Sequence, residues 1–150
     1  MNAATIFSTV KFFEMSICLY FFQGYHFQVF REIQGGFDML KKKSAANMVE
    51  WAPQHFSWTL VDKDDLTVKL EEIPVEGKSD LHFHQRAFQF FFILDGIAEM
   101  HLRGKNYNLE RYDGIEIPLN VKHRIVNKGE TKLFFMLISC PKVQPEDILT

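Results

Sequence analysis

From Met39 onward the chain is a succession of short runs in which apolar and polar residues alternate, each closed by residues that favour turns. Trp58 to Val61, Leu66 to Ile73, Leu81 to His84, Gln89 to Leu94, Ile97 to Leu102, Asn106 to Leu109, Ile115 to Ile117, His123 to Val126 and Lys132 to Ser139 each read as a strand. Asp95-Gly96 and Arg103-Gly104-Lys105 are hairpin signals, and Tyr112-Asp113-Gly114, Pro118-Leu119-Asn120 and Asn127-Lys128-Gly129 separate later runs. Short strands at such spacing predict an all-β sandwich or barrel. Trp51 to Trp58, broken by Pro53, reads as a leading arm. Phe90-Phe91-Phe92-Ile93-Leu94 is apolar on both faces, which predicts a strand buried between the interior and another layer.

Residues 1–38 do not share this pattern. They hold half of the chain's 16 phenylalanines and few charges. Their most apolar run, Met15 to Phe22, is too short to span a bilayer, which takes about 20 residues, and Lys11 and Glu14 prevent its extension backwards. Neither Met1-Asn2-Ala3-Ala4 nor Gln23-Gly24-Tyr25 has the basic start or cleavage site of a signal peptide. Gln34-Gly35-Gly36 can be encoded by a purine-rich sequence of ribosome-binding type, so translation is expected to begin at Met39. The intact mass of protein made from its native gene tests this, and a mass that includes Met1 to Asp38 refutes it. If retained, the segment is expected to be disordered, a helix packed on the barrel, or a membrane-facing anchor. The expected division is an unmatched segment at 1–38, a linker and leading arm or strand at 39–65, a barrel at 66–141 and a C-terminal tail at 142–150.

A chain of 150 residues has room for one domain with a substantial core. A net charge of -2 without a basic block excludes nucleic acid as the main partner, and Lys41 to Lys43 read as a solvated start. Cys18 and Cys140 lie far apart in dissimilar surroundings, which supports neither a disulfide framework nor a cysteine zinc site. They read as free thiols of a cytoplasmic protein with no membrane partner.

The densest chemistry lies between His82 and Asn127. Alternate side chains of a strand share a face, so His82 and His84 project from one side. Gln89, Phe91 and Ile93 share a face of the next strand, and His123, Ile125 and Asn127 share one of a later strand. His82, His84, Gln89 and His123 are therefore the candidate metal ligands. Imidazole suits one divalent transition metal, Fe, Mn, Ni, Co or Zn. An amide leaves more positive charge on the site than a carboxylate would, which favours anionic ligands and Lewis-acid work. Arg86 and Phe91 are candidate substrate-pocket residues, Arg86 facing an anionic group at the barrel mouth. Glu99, His101 and Glu116 are candidate proton carriers, although a solvated surface role is the simpler reading of each.

These segments resemble the two motifs of the cupin superfamily. Gly77, His82, His84, Gln89 and Gly96 follow the first, with Gly77 one residue closer to the histidines than the pattern has it and Gln89 where glutamate is usual. Pro118, Asn120, His123 and Asn127 follow the second, with Asn120 in place of a glycine and Tyr112 at the leading glycine. Asparagine is the side chain that best tolerates the left-handed turn a glycine would supply. The resemblance, from about Leu66 to Pro141, implies a double-stranded β-helix (jelly-roll) cupin barrel. It also implies a homodimer in which Trp51, Trp58 and the outward aromatics are buried between subunits. The three-histidine, one-glutamine set is similar to that of small enzymes that convert unsaturated monouronates to linear keto forms. The expected function is metal-dependent isomerase or lyase chemistry on a small anionic or sugar-like substrate. Two other classes stay open: a non-haem dioxygenase, marked by dioxygen consumption with bound iron, and a non-catalytic carbohydrate-binding or sensory cupin.

Overall fold

A computed structural model describes residues 39–150, and the expectations for residues 1–38, Cys18 and the start at Met39 lie outside the described residues. The strands are β1 (Asn47–Ala52), β2 (His55–Lys63), β3 (Leu66–Ile73), β4 (Phe83–His84), β5 (Phe88–Asp95), β6 (Ala98–Leu102), β7 (Lys105–Leu109), β8 (Gly114–Ile117), β9 (His123–Asn127), β10 (Leu133–Cys140) and β11 (Ile148–Leu149). Six of them form an antiparallel sheet in the order β1-β2-β3-β10-β5-β8, three form a sheet in the order β7-β6-β9, and β11 pairs with β4. This is the all-β architecture expected from the alternating runs and the jelly-roll that the resemblance implied. Among the described residues no helix is long and apolar enough to cross a membrane.

The two larger sheets pack face to face. Ile73, Ile93 and Phe135 from one meet Ala98, Met100 and Ile125 from the other in a single apolar cluster, all nearly or wholly shielded from solvent. The turn glycine Gly96 has φ +90°, and a Cβ there would stand 3.1 Å from the Leu133 Cα, so the β5–β6 corner needs both the backbone freedom and the missing side chain. At Gly77 a Cβ would come within 2.7 Å of Ile73 and 2.9 Å of the His55 ring, which fixes the close approach of the segment leading to His82.

Two elements lie outside the runs read as strands. The segment read as a leading arm is the end of β1, a turn at Pro53-Gln54 and the start of β2, with Gln54 in the left-handed region at φ 61°. The sheet therefore begins at Asn47. The last nine residues are also ordered: Ile148 pairs with His84 and Leu149 with Phe83, and Arg86 Nε donates to Asp147 at 2.6 Å.

Candidate metal centre

Three separate stretches of backbone bring the histidines together. His82 sits at a bridge to His123, with reciprocal backbone hydrogen bonds of 3.1 and 2.8 Å, and His84 follows two residues later on β4. His123 opens β9, delivered by a turn in which Asn120 adopts φ 61° and donates its backbone N–H to the His84 carbonyl at 2.8 Å. The ring centroids lie 4.9 Å apart for His82 and His84, 4.4 Å for His82 and His123, and 5.4 Å for His84 and His123. One ligating atom from each falls within 4.8 Å of the others. Nitrogens sharing one ion at about 2.1 Å stand roughly 3–4 Å apart, so a small closure of the three rings would seat one. The three histidines are positioned to hold a metal ion.

Backbone carbonyls set the tautomers. His82 Nδ1 lies 2.8 Å from the Asp80 oxygen and His123 Nδ1 lies 3.0 Å from the Val121 oxygen. A carbonyl oxygen only accepts, so each Nδ1 carries a hydrogen, which leaves Nε2 of each ring as the nitrogen available to an ion. Burial, with minor help from the neighbouring histidines, pushes His123 down to about 4, against the opposing pull of its bond to Val121. Burial and the neighbouring His82 also lower His84, against the opposing pull of Asp147 and the Gln89 side chain. Both rings are thus neutral near pH 7.

Gln89 lies on β5 with its amide Nε2 donating to Ser139 Oγ at 3.2 Å, while its Oε1 stands 3.1 Å from His123 Nε2. Two unprotonated acceptors face each other there, an arrangement that a cation between them makes favourable. His84 adds a test of fit: neither buried ring nitrogen has a partner in hydrogen-bonding geometry, although the Asp147 backbone and the Gln89 side chain stand near enough to oppose the fall in its pKa, and a bound ion would satisfy one of the two. A buried polar atom left unpaired costs about 1–3 kcal/mol. The donor set of three imidazoles and an amide oxygen fits a divalent first-row ion.

These groups open onto a cavity of about 420 Å³ between the sheets. Phe91 lines it, 4% exposed, with its ring 6.1 Å from that of His123. Arg86 does not line it: its guanidinium is held at the surface by Asp147 and, at 3.6 Å, by Glu146. The candidate proton carriers also fall elsewhere. Glu99 and His101 pair at 2.7 Å on the other face of β6, where Arg124 joins them, and Glu116 is exposed on β8. The cavity instead exposes a polar wall from β2 and β3, including Ser57, Thr67, Lys69 and Glu71. Burial raises the Glu71 carboxyl to about 7, with Lys69 and the Ser57 hydroxyl pulling it down. Sequence reading missed this residue because Lys69-Leu70-Glu71-Glu72 has the look of a solvated face. The signal was present in Thr67, Lys69 and Glu71, three polar residues in phase.

Residues 69–139 match the family model for the cupin domain. An uncharacterized protein of Methanocaldococcus jannaschii is 32% identical over 75 residues, 50% of this chain, which spans 60% of that relative's length. Among solved structures, KdgF from Halomonas sp. superposes with a TM-score of 0.64 at 17% identity, covering 69% of this chain and 94% of that one. A cupin-superfamily sugar phosphate isomerase from Silicibacter pomeroyi superposes with a TM-score of 0.62 at 16% identity, covering 69% and 76%. At these identities the structural likeness concerns the fold alone.

Proposed function

Because the chain belongs to the cupin superfamily and carries three convergent imidazoles beside a neutral amide, we propose that it is a metal-dependent isomerase acting on a small anionic sugar derivative. The observation that carries this reading is the convergence of the His82, His84 and His123 rings, each with a ligating nitrogen within 4.8 Å of the others. His82, His84, Gln89 and His123 would hold one divalent transition metal. When bound, the ion supplies Lewis-acid polarisation of substrate oxygen atoms and offsets negative charge that develops on them. The neutral Gln89 leaves that charge undiminished, which suits a carboxylate-bearing substrate. Phe91 and Phe135 form an apolar floor that excludes water from part of the cavity. The resemblance of the three-histidine, one-glutamine set to that of enzymes acting on unsaturated monouronates supports the reaction class and such a uronate as substrate.

The decisive experiment combines metal content with turnover. Protein purified without added metal should contain close to one equivalent of a first-row ion by elemental analysis. It should remove the ultraviolet absorbance of the conjugated double bond of an unsaturated monouronate, forming the linear keto acid. The His82→Ala, His84→Ala double variant should lose the metal and the activity with its far-ultraviolet circular dichroism unchanged. Stoichiometric metal in that variant would overturn the site, and inert metal-loaded wild type would overturn the reaction.

The same reading includes a homodimer. The outer face of the six-stranded sheet carries the half-buried aromatics Phe56, Trp58, Phe90, Phe92 and Phe134, an apolar surface that a second copy would cover. Light scattering should give twice the chain mass, and Phe92→Glu should reduce it to one.

A further inference from the structure

Strand register arranges the cavity wall in rows. Gln89 stands beside Ser139 and Ser139 beside Thr67, Phe91 beside Leu137 and Leu137 beside Lys69, and Ile93 beside Phe135 and Phe135 beside Glu71. Lys69 is thus one row and Glu71 two rows from the row of Gln89, at about 7 Å of strand per row. Both project into the cavity that His82 and His84 line. Glu71 is 9% exposed, faces Ser57 across the β2–β3 pair, and makes no ion pair among the described residues. Lys69 likewise has no carboxylate at ion-pair distance among them. The other ionisable groups on the wall are His82, His84 and Asp62, the last neutralised by Lys142 at 2.6 Å. A buried carboxyl and a half-buried amine that make no ion pair with each other or with any other side chain among the described residues, the carboxyl having only the Ser57 hydroxyl and the charge of Lys69 nearby, are placed for a ligand.

We propose that Lys69 and Glu71 form the substrate-handling wall of this cavity, Lys69 anchoring the carboxylate of a sugar acid and Glu71 carrying the proton that the isomerisation moves. The assignment rests on the metal-dependent reading above and adds the residues that reading lacks. For an unsaturated cyclic uronate the step balances without any further reagent. The Glu71 carboxylate takes the proton of the ring's hemiacetal hydroxyl, whose oxygen then forms the aldehyde carbonyl as the ring carbon–oxygen bond breaks. The electron pair of that bond passes to the former ring oxygen, giving an enolate. The Glu71 carboxylic acid returns its proton to the alkene carbon, the enolate becomes a ketone, and the protein ends as it began. A carboxyl that titrates near neutrality serves both halves of such a transfer.

The test uses the metal-bound protein with D-glucuronate as a non-reacting probe. Lys69→Met should bind glucuronate at least tenfold more weakly than wild type by calorimetry with metal content unchanged, and binding within twofold of wild type would overturn the anchor. Wild-type affinity for glucuronate should fall as pH rises through about 7, where Glu71 becomes an anion, and Glu71→Gln should be flat. An unaltered profile in that variant would overturn the assignment of Glu71. Turnover of the unsaturated uronate should fall at least a hundredfold in Glu71→Gln at full metal occupancy, with partial recovery in Glu71→Asp. Equal turnover in wild type and Glu71→Gln would overturn it as well. If these variants do not fold, carbon-13 NMR titration of Glu71 in the wild type decides, because a carboxyl titrating near 4.5 cannot play this part. Loss of metal from the wild type, or an inert wild type, strikes the earlier reading and leaves the binding measurements to judge Lys69 and Glu71.

Discussion

Gln89 sits where a carboxylate would cancel one unit of a bound ion's charge. Gln89→Glu should therefore tighten metal binding and weaken glucuronate binding, each by about tenfold, or about 1.4 kcal/mol, in chelator competition and calorimetry. Asn127 does a different job. Its Nδ2 reaches the carbonyls of Ile73, Pro74 and Thr131 at 3.2, 3.0 and 2.8 Å, and its Oδ1 accepts from Gly129 N–H at 2.9 Å. Asn127→Ala strands several of these buried groups and should cost about 2–3 kcal/mol in urea denaturation without removing a metal ligand. Glu71 links stability to pH. Its folded pKa of about 7 lies above the ordinary 4.5, so its contribution is complete below 4.5 and is lost as pH rises through 7. Relative to Glu71→Gln, the wild type should lose on the order of 3 kcal/mol between about pH 5 and about pH 8 in denaturant melts. The histidines were legible as residues because His82-x-His84 and His123 carry their spacing openly. Glu71 was hidden because nothing local distinguishes an inward carboxylate from a solvated one.

The turns that present the histidines depend on unusual backbone. Asn120 at φ 61° and Tyr112 at φ 75° stand where the resemblance calls for glycine, and both occupy the left-handed region. Tyr112 is held there by its N–H bond to the Ile93 carbonyl at 2.8 Å and by the stacking of its ring on Phe92. Asn120→Gly should be nearly neutral, whereas Asn120→Val should cost about 1–2 kcal/mol in thermal melts and weaken the metal site through the Asn120 bond to His84. Strands from Leu66 to Cys140 were readable from alternation, with ends shifted by a residue or two. The β1–β2 hairpin was not, because its turn is Pro53-Gln54, without the glycine that marks a hairpin. The β11 strand escaped too, since two residues cannot display a period.

The site joins segments from both halves of the fold, so an ion held there should tie their stability together. Chelation should lower the unfolding free energy of the wild type, by about 2.7 kcal/mol if the ion was present at about a hundred times its dissociation constant, and the His82→Ala, His84→Ala variant should not respond. Alternation along the chain was enough to establish a β architecture and to put His82 with His84, because a period of two is a property of the extended backbone itself. Which face of each strand turned inward was decided only when the sheets packed. On β3 the polar set Thr67, Lys69 and Glu71 faces the interior, and Val68 and Leu70 face out. That orientation is tolerated because these side chains face a cavity there instead of a close-packed core, and no local stretch of residues specifies the shape of the space across from it.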